Sequence, residues 1–145
     1  MKYSTEVTIA QPRAKVVELF DNSDNLYQWM DGLKSFEHLS GEPGQPGAKS
    51  KLLFQMGKRE VTMTETILDR ELPERFSGTY EGPGVWNRVE NLFQESENGE
   101  TTWVANHEFK FRGMMSVISL FMRGAFKKQT AKTMESFRAF AEKAN

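Results

Sequence analysis

A chain of 145 residues with 19 basic and 20 acidic side chains, a net charge of −1 and no cysteine excludes disulfides, thiolate chemistry and cysteine-held metals, and offers no global electrostatic footprint for nucleic acid. A domain of this length buries roughly 70% of its unfolded surface, enough for a real core, so a single domain over 1–145 is expected. The opening Met1-Lys2-Tyr3-Ser4-Thr5-Glu6 lacks the apolar core of a signal peptide, and no apolar run nears the ~20 residues of a membrane span; a soluble, cytoplasmic protein is the expectation.

Residues Tyr3 to Ile9 alternate, with Tyr3, Thr5, Val7 and Ile9 on one side and Ser4, Glu6 and Thr8 on the other, the period of a half-buried strand. Gln11-Pro12-Arg13 then turns the chain. Pro12 suits the first turn of a helix whose apolar face is Val16, Val17, Leu19 and Phe20, since proline loses no helical hydrogen bond there. The run Asp21-Asn22-Ser23-Asp24-Asn25 ends that helix, and its Asp and Asn residues supply caps for a second short one carrying Leu26, Trp29 and Met30.

From Phe36 the strand pattern returns and holds almost to residue 111, broken by turns. Gly41-Glu42-Pro43-Gly44-Gln45-Pro46-Gly47 reads as a long loop and Met56-Gly57-Lys58-Arg59 as a tight one; Leu72-Pro73-Glu74, Gly82-Pro83-Gly84 and Glu97-Asn98-Gly99-Glu100 complete the set. These turns delimit strands near 34–40, 48–56, 59–69, 75–81, 85–95 and 101–111. Connections this short imply antiparallel neighbours, giving with the first strand about seven in one curved sheet.

Met114 to Ala144 reads as one long helix, with Met115, Ile118, Met122, Phe126, Gln129, Thr133, Phe137 and Phe140 on one stripe. Its front half is apolar almost all round, because Met114, Val117, Leu120 and Phe121 cover the other sides. Between Arg112 and Met134 stand five basic residues and no acidic ones. Such a segment is either buried from two sides, by the sheet and by the short helices or a second subunit, or an interaction surface for a membrane or a partner. Gly124 divides the halves and is a candidate kink.

The order strand, two short helices, six strands and long C-terminal helix resembles the helix-grip fold of the START-like (SRPBCC, birch-pollen-allergen-like) superfamily, and most of all its polyketide cyclase/dehydrase-like branch. The residues that carry the likeness are the opening strand into Pro12, Val17, Leu19-Phe20-Asp21, Trp29, the turn Ser40-Gly41-Glu42-Pro43-Gly44, and Phe109 with Phe111-Arg112-Gly113 leading into the long helix. The resemblance spans the chain and implies an α+β domain whose curved sheet wraps the helix around a deep, mainly apolar cavity. The superfamily includes lipid and sterol carriers, hormone receptors, coenzyme-Q-binding proteins, aromatase/cyclases and co-chaperones, and fold alone does not choose among them.

Strand alternation nominates the concave face. Leu52, Phe54 and Met56 share a side, as do Val61, Met63, Glu65 and Ile67, and Phe76, Gly78 and Tyr80. Val85, Asn87, Val89, Asn91 and Phe93 are preferred over the opposite set, and the last strand offers Trp103, Ala105, His107, Phe109 and Phe111. Trp29 joins as core or cavity wall, and Ile118, Met122 and Phe126 as the helical contribution. Glu65, Tyr80, Asn87, Asn91 and His107 are then the polar groups facing an apolar space, the usual composition of a small-molecule pocket.

The leading expectation is binding or transport of a small hydrophobic molecule such as a lipid, isoprenoid, fatty acid or aromatic polyketide. One alternative is a cyclase, aromatase or dehydratase using His107 with Glu65 or Tyr80 as acid and base. Another is a membrane- or protein-interaction module acting through the front of the long helix. His38 and His107, the two histidines, lie in no metal-binding pattern, no phosphate-loop or nucleophile motif appears, and neither metal nor cofactor is expected. Peripheral membrane contact and a homodimer are admitted as partners.

Overall fold

The structure, a computed structural model, describes residues 1–144. Strand β1 (Lys2–Ile9) is followed by helix α1 (Arg13–Phe20), a 3-10 turn (Ser23–Asn25) and helix α2 (Leu26–Trp29). Strands β2 (Leu33–Ser40), β3 (Lys49–Met56), β4 (Arg59–Glu71), β5 (Arg75–Gly82), β6 (Val85–Glu95) and β7 (Thr101–Phe111) come next, then helices α3 (Met114–Phe121) and α4 (Arg123–Lys143). All pairings are antiparallel and the sheet order is β1-β7-β6-β5-β4-β3-β2, so hairpins account for every neighbour except the return of β1 to β7.

Local chemistry accounts for the helical crossover between the two edge strands. Pro12 stands just before the first helical residue, and its carbonyl accepts from the Lys15 and Val16 N–H groups at 3.0 Å. Val16, Val17 and Leu19 are the buried face of α1. The side chain of Asn22 accepts from the Asp24 N–H at 3.0 Å and opens the 3-10 turn that runs into α2. Arg70 on β4 then ties the end of α1 to the sheet, donating to both carboxylate oxygens of Asp21 and, at 3.2 Å, to the Gly44 carbonyl in the β2–β3 loop.

Helix α4 packs chiefly on β1 and α2. The seam with β1 is polar as well as apolar. The Tyr3 hydroxyl is 2.7 Å from Thr130 Oγ1, the Thr5 hydroxyl donates to Met134 Sδ at 3.0 Å, and Glu142 accepts from the Ala10 N–H at 2.8 Å. Gln11 Nε2 donates to the carbonyls of Ala141 and Ala144 at 2.9 and 3.0 Å, satisfying acceptors that a helix C-terminus otherwise leaves open.

The C-terminal segment is two helices, where the sequence pattern suggests one. The break falls at Met122 (φ −116°, ψ 13°), and Gly124, the expected hinge, lies inside α4. The halves rest on different neighbours: α3 on the end of β7, α4 on β1 and α2. Met134, Phe137 and Ala141 of α4 are buried in one core with Ile9, Trp29, Phe93 and Trp103, whereas most of α3 is exposed. No described helix is long and apolar enough to cross a membrane.

Phe137 is fully buried, with its ring 5.0 Å from Trp29 and 5.2 Å from Trp103. Phe137→Ala is expected to cost about 3–5 kcal/mol in urea unfolding, while Phe121→Ala in α3 shifts stability by less than about 0.5 kcal/mol; similar losses for both would contradict this division of the C-terminal segment.

Candidate functional site

Between the concave sheet and α4 lies a cavity of about 310 Å³, at the lower end of the range for small-molecule sites. Strand alternation delivers its walls: Phe54 from β3, Val61 and Met63 from β4, Tyr80 from β5, Asn87, Val89 and Asn91 from β6, and Trp103, Ala105 and His107 from β7. Helix α4 supplies Gln129, Thr130, Thr133 and Met134, and the crossover supplies Phe20, Trp29, Met30 and Asp31. A second, more polar cavity of about 480 Å³ adjoins it, lined by Ser50, Glu65, Ile67, Arg70, Phe76 and residues of the crossover and the β2–β3 loop. Phe20, Trp29, Met30 and Tyr80 border both and form the partition.

The polar groups of the first cavity are held in defined orientations. Asn91 accepts from Trp103 Nε1 at 2.9 Å and donates to the Phe76 carbonyl at 3.2 Å, which fixes its amide. Asn87 Nδ2 lies 3.2 Å from the Glu108 carbonyl and 3.3 Å from His107 Nδ1. A backbone carbonyl can only accept, so the group beside it is the NH2, and His107 Nδ1 must be the acceptor. The imidazole is therefore the neutral tautomer with its proton on Nε2. Burial pushes its pKa down to about 4, and its ring forms a three-ring cluster with Tyr3 (4.9 Å) and Phe109 (5.8 Å), which also stack on each other. Among the described residues neither His107 Nε2 nor Asn87 Oδ1 has a hydrogen-bond partner.

Glu65 belongs to the second cavity. The β4 irregularity lies at Ile67/Asp69, beyond Glu65, which stays paired with Tyr80 in the sheet. The Tyr80 hydroxyl donates to Glu65 Oε2 at 2.8 Å. Burial raises the Glu65 carboxyl, with the Tyr80 hydrogen bond opposing it, and burial followed by the neighbouring carboxylate holds Tyr80 well above the usual phenol range. His107, Glu65 and Tyr80 thus form two separate hydrogen-bonded pairs, His107 with Asn87 and Glu65 with Tyr80, and not one acid/base set.

Of the residues nominated from sequence, Trp29, Phe54, Met63, Tyr80, Asn87, Asn91, Trp103 and His107 border the first cavity. Five expectations differ. Leu52 is fully buried between Ser50, which faces the second cavity, and Phe54, which faces the first, and borders neither. Phe109 and Phe126, 5.3 Å apart, join Phe111 in an aromatic plug between β7 and the start of α4. Ile118 and Met122 lie on the exposed segment before α4, since the helix breaks there. Unnominated neighbours include Gln129 and Thr133, whose signal was visible as two polar interruptions of an apolar stripe, and Phe20, Met30 and Asp31, which no periodicity distinguishes. Trp29 Nε1 is buried without a hydrogen-bond partner, its ring close to perpendicular to those of Trp103 and Phe137. No cluster of three or more His, Asp or Glu able to hold a metal occurs among the described residues.

Comparison with known proteins follows from this architecture. A conserved protein from Geobacillus kaustophilus superposes with a TM-score of 0.84 at 16% identity, covering 99% of this chain and 96% of its own. The ZhuI aromatase/cyclase from Streptomyces sp. R1128 gives 0.83 at 14% identity, covering 98% and 93%, and Ara h 8.0201 gives 0.73 at 13%, covering 97% of each. At these identities the likeness is one of fold, the helix-grip fold. None of the curated protein sequences compared with the chain matches it. The family profile described as polyketide cyclase/dehydrase and lipid transport matches residues 1–142, and the chain belongs to that family, the polyketide cyclase-like branch of the START-like superfamily.

Proposed function

We propose that the protein binds a small, largely apolar molecule carrying one carbonyl or hydroxyl group. The observation that carries this reading is a pair of polar atoms without protein partners in an otherwise apolar space: His107 Nε2–H offers a donor and Asn87 Oδ1 an acceptor, on two cavity-lining side chains joined to each other through Nδ1 and Nδ2. The apolar walls offer these atoms no partner, so a ligand oxygen at this point gains affinity and orientation together. The family description, which includes lipid transport, agrees with such a role. An acid/base reading needs His107 with Glu65 or Tyr80 around one reacting centre; Glu65 borders the second cavity, and Tyr80, which borders the first with His107, gives its hydroxyl proton to Glu65, which favours binding over catalysis.

Titration with 2-naphthol and naphthalene, followed through the fluorescence of Trp29 and Trp103, tests the reading. Saturable binding of both is expected, with 2-naphthol about tenfold tighter, the worth of one buried hydrogen bond. Thr133→Trp, which fills the cavity from α4, should weaken both ligands; His107→Phe should remove the difference between them and retain naphthalene. Absence of saturable binding, or binding indifferent to Thr133→Trp, would overturn the proposal.

The neutral imidazole also has a pH signature. Unfolded His107 takes a proton near its ordinary value of 6.5, the folded residue only near 4, so between these values the unfolded chain binds more protons and stability falls as pH falls. Relative to His107→Phe, the wild type should lose up to about 3 kcal/mol from pH 6.5 to 4 in urea melts and change little below. A parallel pH dependence for the two proteins would contradict a buried neutral His107.

A further inference from the structure

We infer that α3 is a docking element for the surface of an anionic phospholipid bilayer. The helix is inverted with respect to an ordinary surface helix, whose apolar residues face the protein. Its buried residue is Ser119, whereas Phe121 is 84% exposed, Met114 77%, Leu120 63% and Val117 53%. The Ser116 and Ser119 hydroxyls donate to the backbone carbonyls of Gly113 and Ser116 at 2.6 and 3.1 Å, which leaves the outward surface of α3 to hydrocarbon.

Charge is the second, independent observation. Arg112 precedes α3, and Arg123, Lys127 and Lys128 follow it; all four are exposed, and among the described residues none has a carboxylate partner. From Arg112 to Met134 no acidic residue interrupts these cations, and the fifth basic residue of that stretch, Lys132, lies farther along α4 against Asp31. An apolar ridge with unpaired cations at both ends, in a chain of net charge −1, matches a layer of phosphate headgroups over acyl chains. The ridge protrudes, and a fluid acyl layer receives protruding side chains without a preformed groove.

The placement adds a route for cargo, a consequence that rests on the ligand-binding reading while the docking itself does not. Met115 packs over Gly84, where a Cβ would come within 2.9 Å of its Cγ, and a Cβ at neighbouring Gly82 would come within 2.5 Å of Sδ of Met63, a wall of the first cavity. The β5–β6 turn therefore stands directly between α3 and the cavity, so a docked α3 brings that wall to the lipid.

Flotation of the full chain with vesicles of phosphatidylcholine and phosphatidylglycerol (3:1), against phosphatidylcholine alone, tests the inference. Binding to the anionic vesicles in low salt is expected, at least tenfold weaker in 0.5 M NaCl and on neutral vesicles. Leu120→Asp/Phe121→Asp and Arg123→Glu/Lys127→Glu should each lose at least tenfold while retaining the wild-type circular dichroism. Naphthalene binding by the same variants, unchanged, would show that docking and ligand binding are separate properties. No binding to anionic vesicles, or binding unchanged in Leu120→Asp/Phe121→Asp, would overturn the inference. So would a concentration-dependent dimer in sedimentation velocity that this variant abolishes without any vesicle binding, which would make the patch an interface between copies.

Discussion

The arrangement depends first on the seam between β1 and α4. A curved sheet left to itself has an unsatisfied concave face, and α4 covers it only where it is fastened: at Thr130 and Met134 by Tyr3 and Thr5, and at its C-terminal carbonyls by Gln11. These bonds follow one edge of the sheet, so the helix is held by a margin while its middle spans the space in front of the central strands. At the C-terminal end Phe137 and Ala141 fill that space; farther forward the smaller, more polar Gln129, Thr130 and Thr133 do not. The cavity is thus the region where the side chains of α4 stop being large enough to close the distance.

Polar residues within it follow the same logic of enforced satisfaction. A buried amide must find partners for both its ends. Asn91 does so within the protein, using Trp103 and the Phe76 carbonyl, and becomes structural. Asn87 does so only in part, and because it spends its NH2 on Glu108 and His107 it also dictates which nitrogen of His107 carries the proton. Two asparagines four residues apart on one strand face thereby have different duties, decided by whether a neighbouring indole is within reach. Glu65 shows a third outcome, a carboxyl kept in a separate chamber by the phenol that satisfies it.

Most of the fold is legible in the chain. Turn residues bound every strand to within two residues, and alternation places Asn87, Val89, Asn91 and Phe93 on the buried face of β6 as expected. The same alternation could assign residues to a face but not to a depth: Leu52 and Phe54 share a side, yet one is sealed and the other borders open space, a difference set by what stands opposite. The helix break was hidden for a related reason. Nothing in Met122 opposes helix; the chain leaves the helical path there because its two halves lie on different supports. The partition of the space was likewise invisible, since Phe20 and Met30 come from the crossover, and their approach to Tyr80 depends on tertiary closure.

The topology also orders events in time. β1 is made first, but its strand partner β7 and its helical partner α4 are made last. Until they emerge, β2 to β6 can pair as successive hairpins while β1 has neither a hydrogen-bonded neighbour nor a cover for Val7 and Ile9. A strand with both edges open is a template for pairing with other chains. The charges of Lys2 and Glu6 within β1 guard a segment that must stay unpaired until β7 and α4 are made.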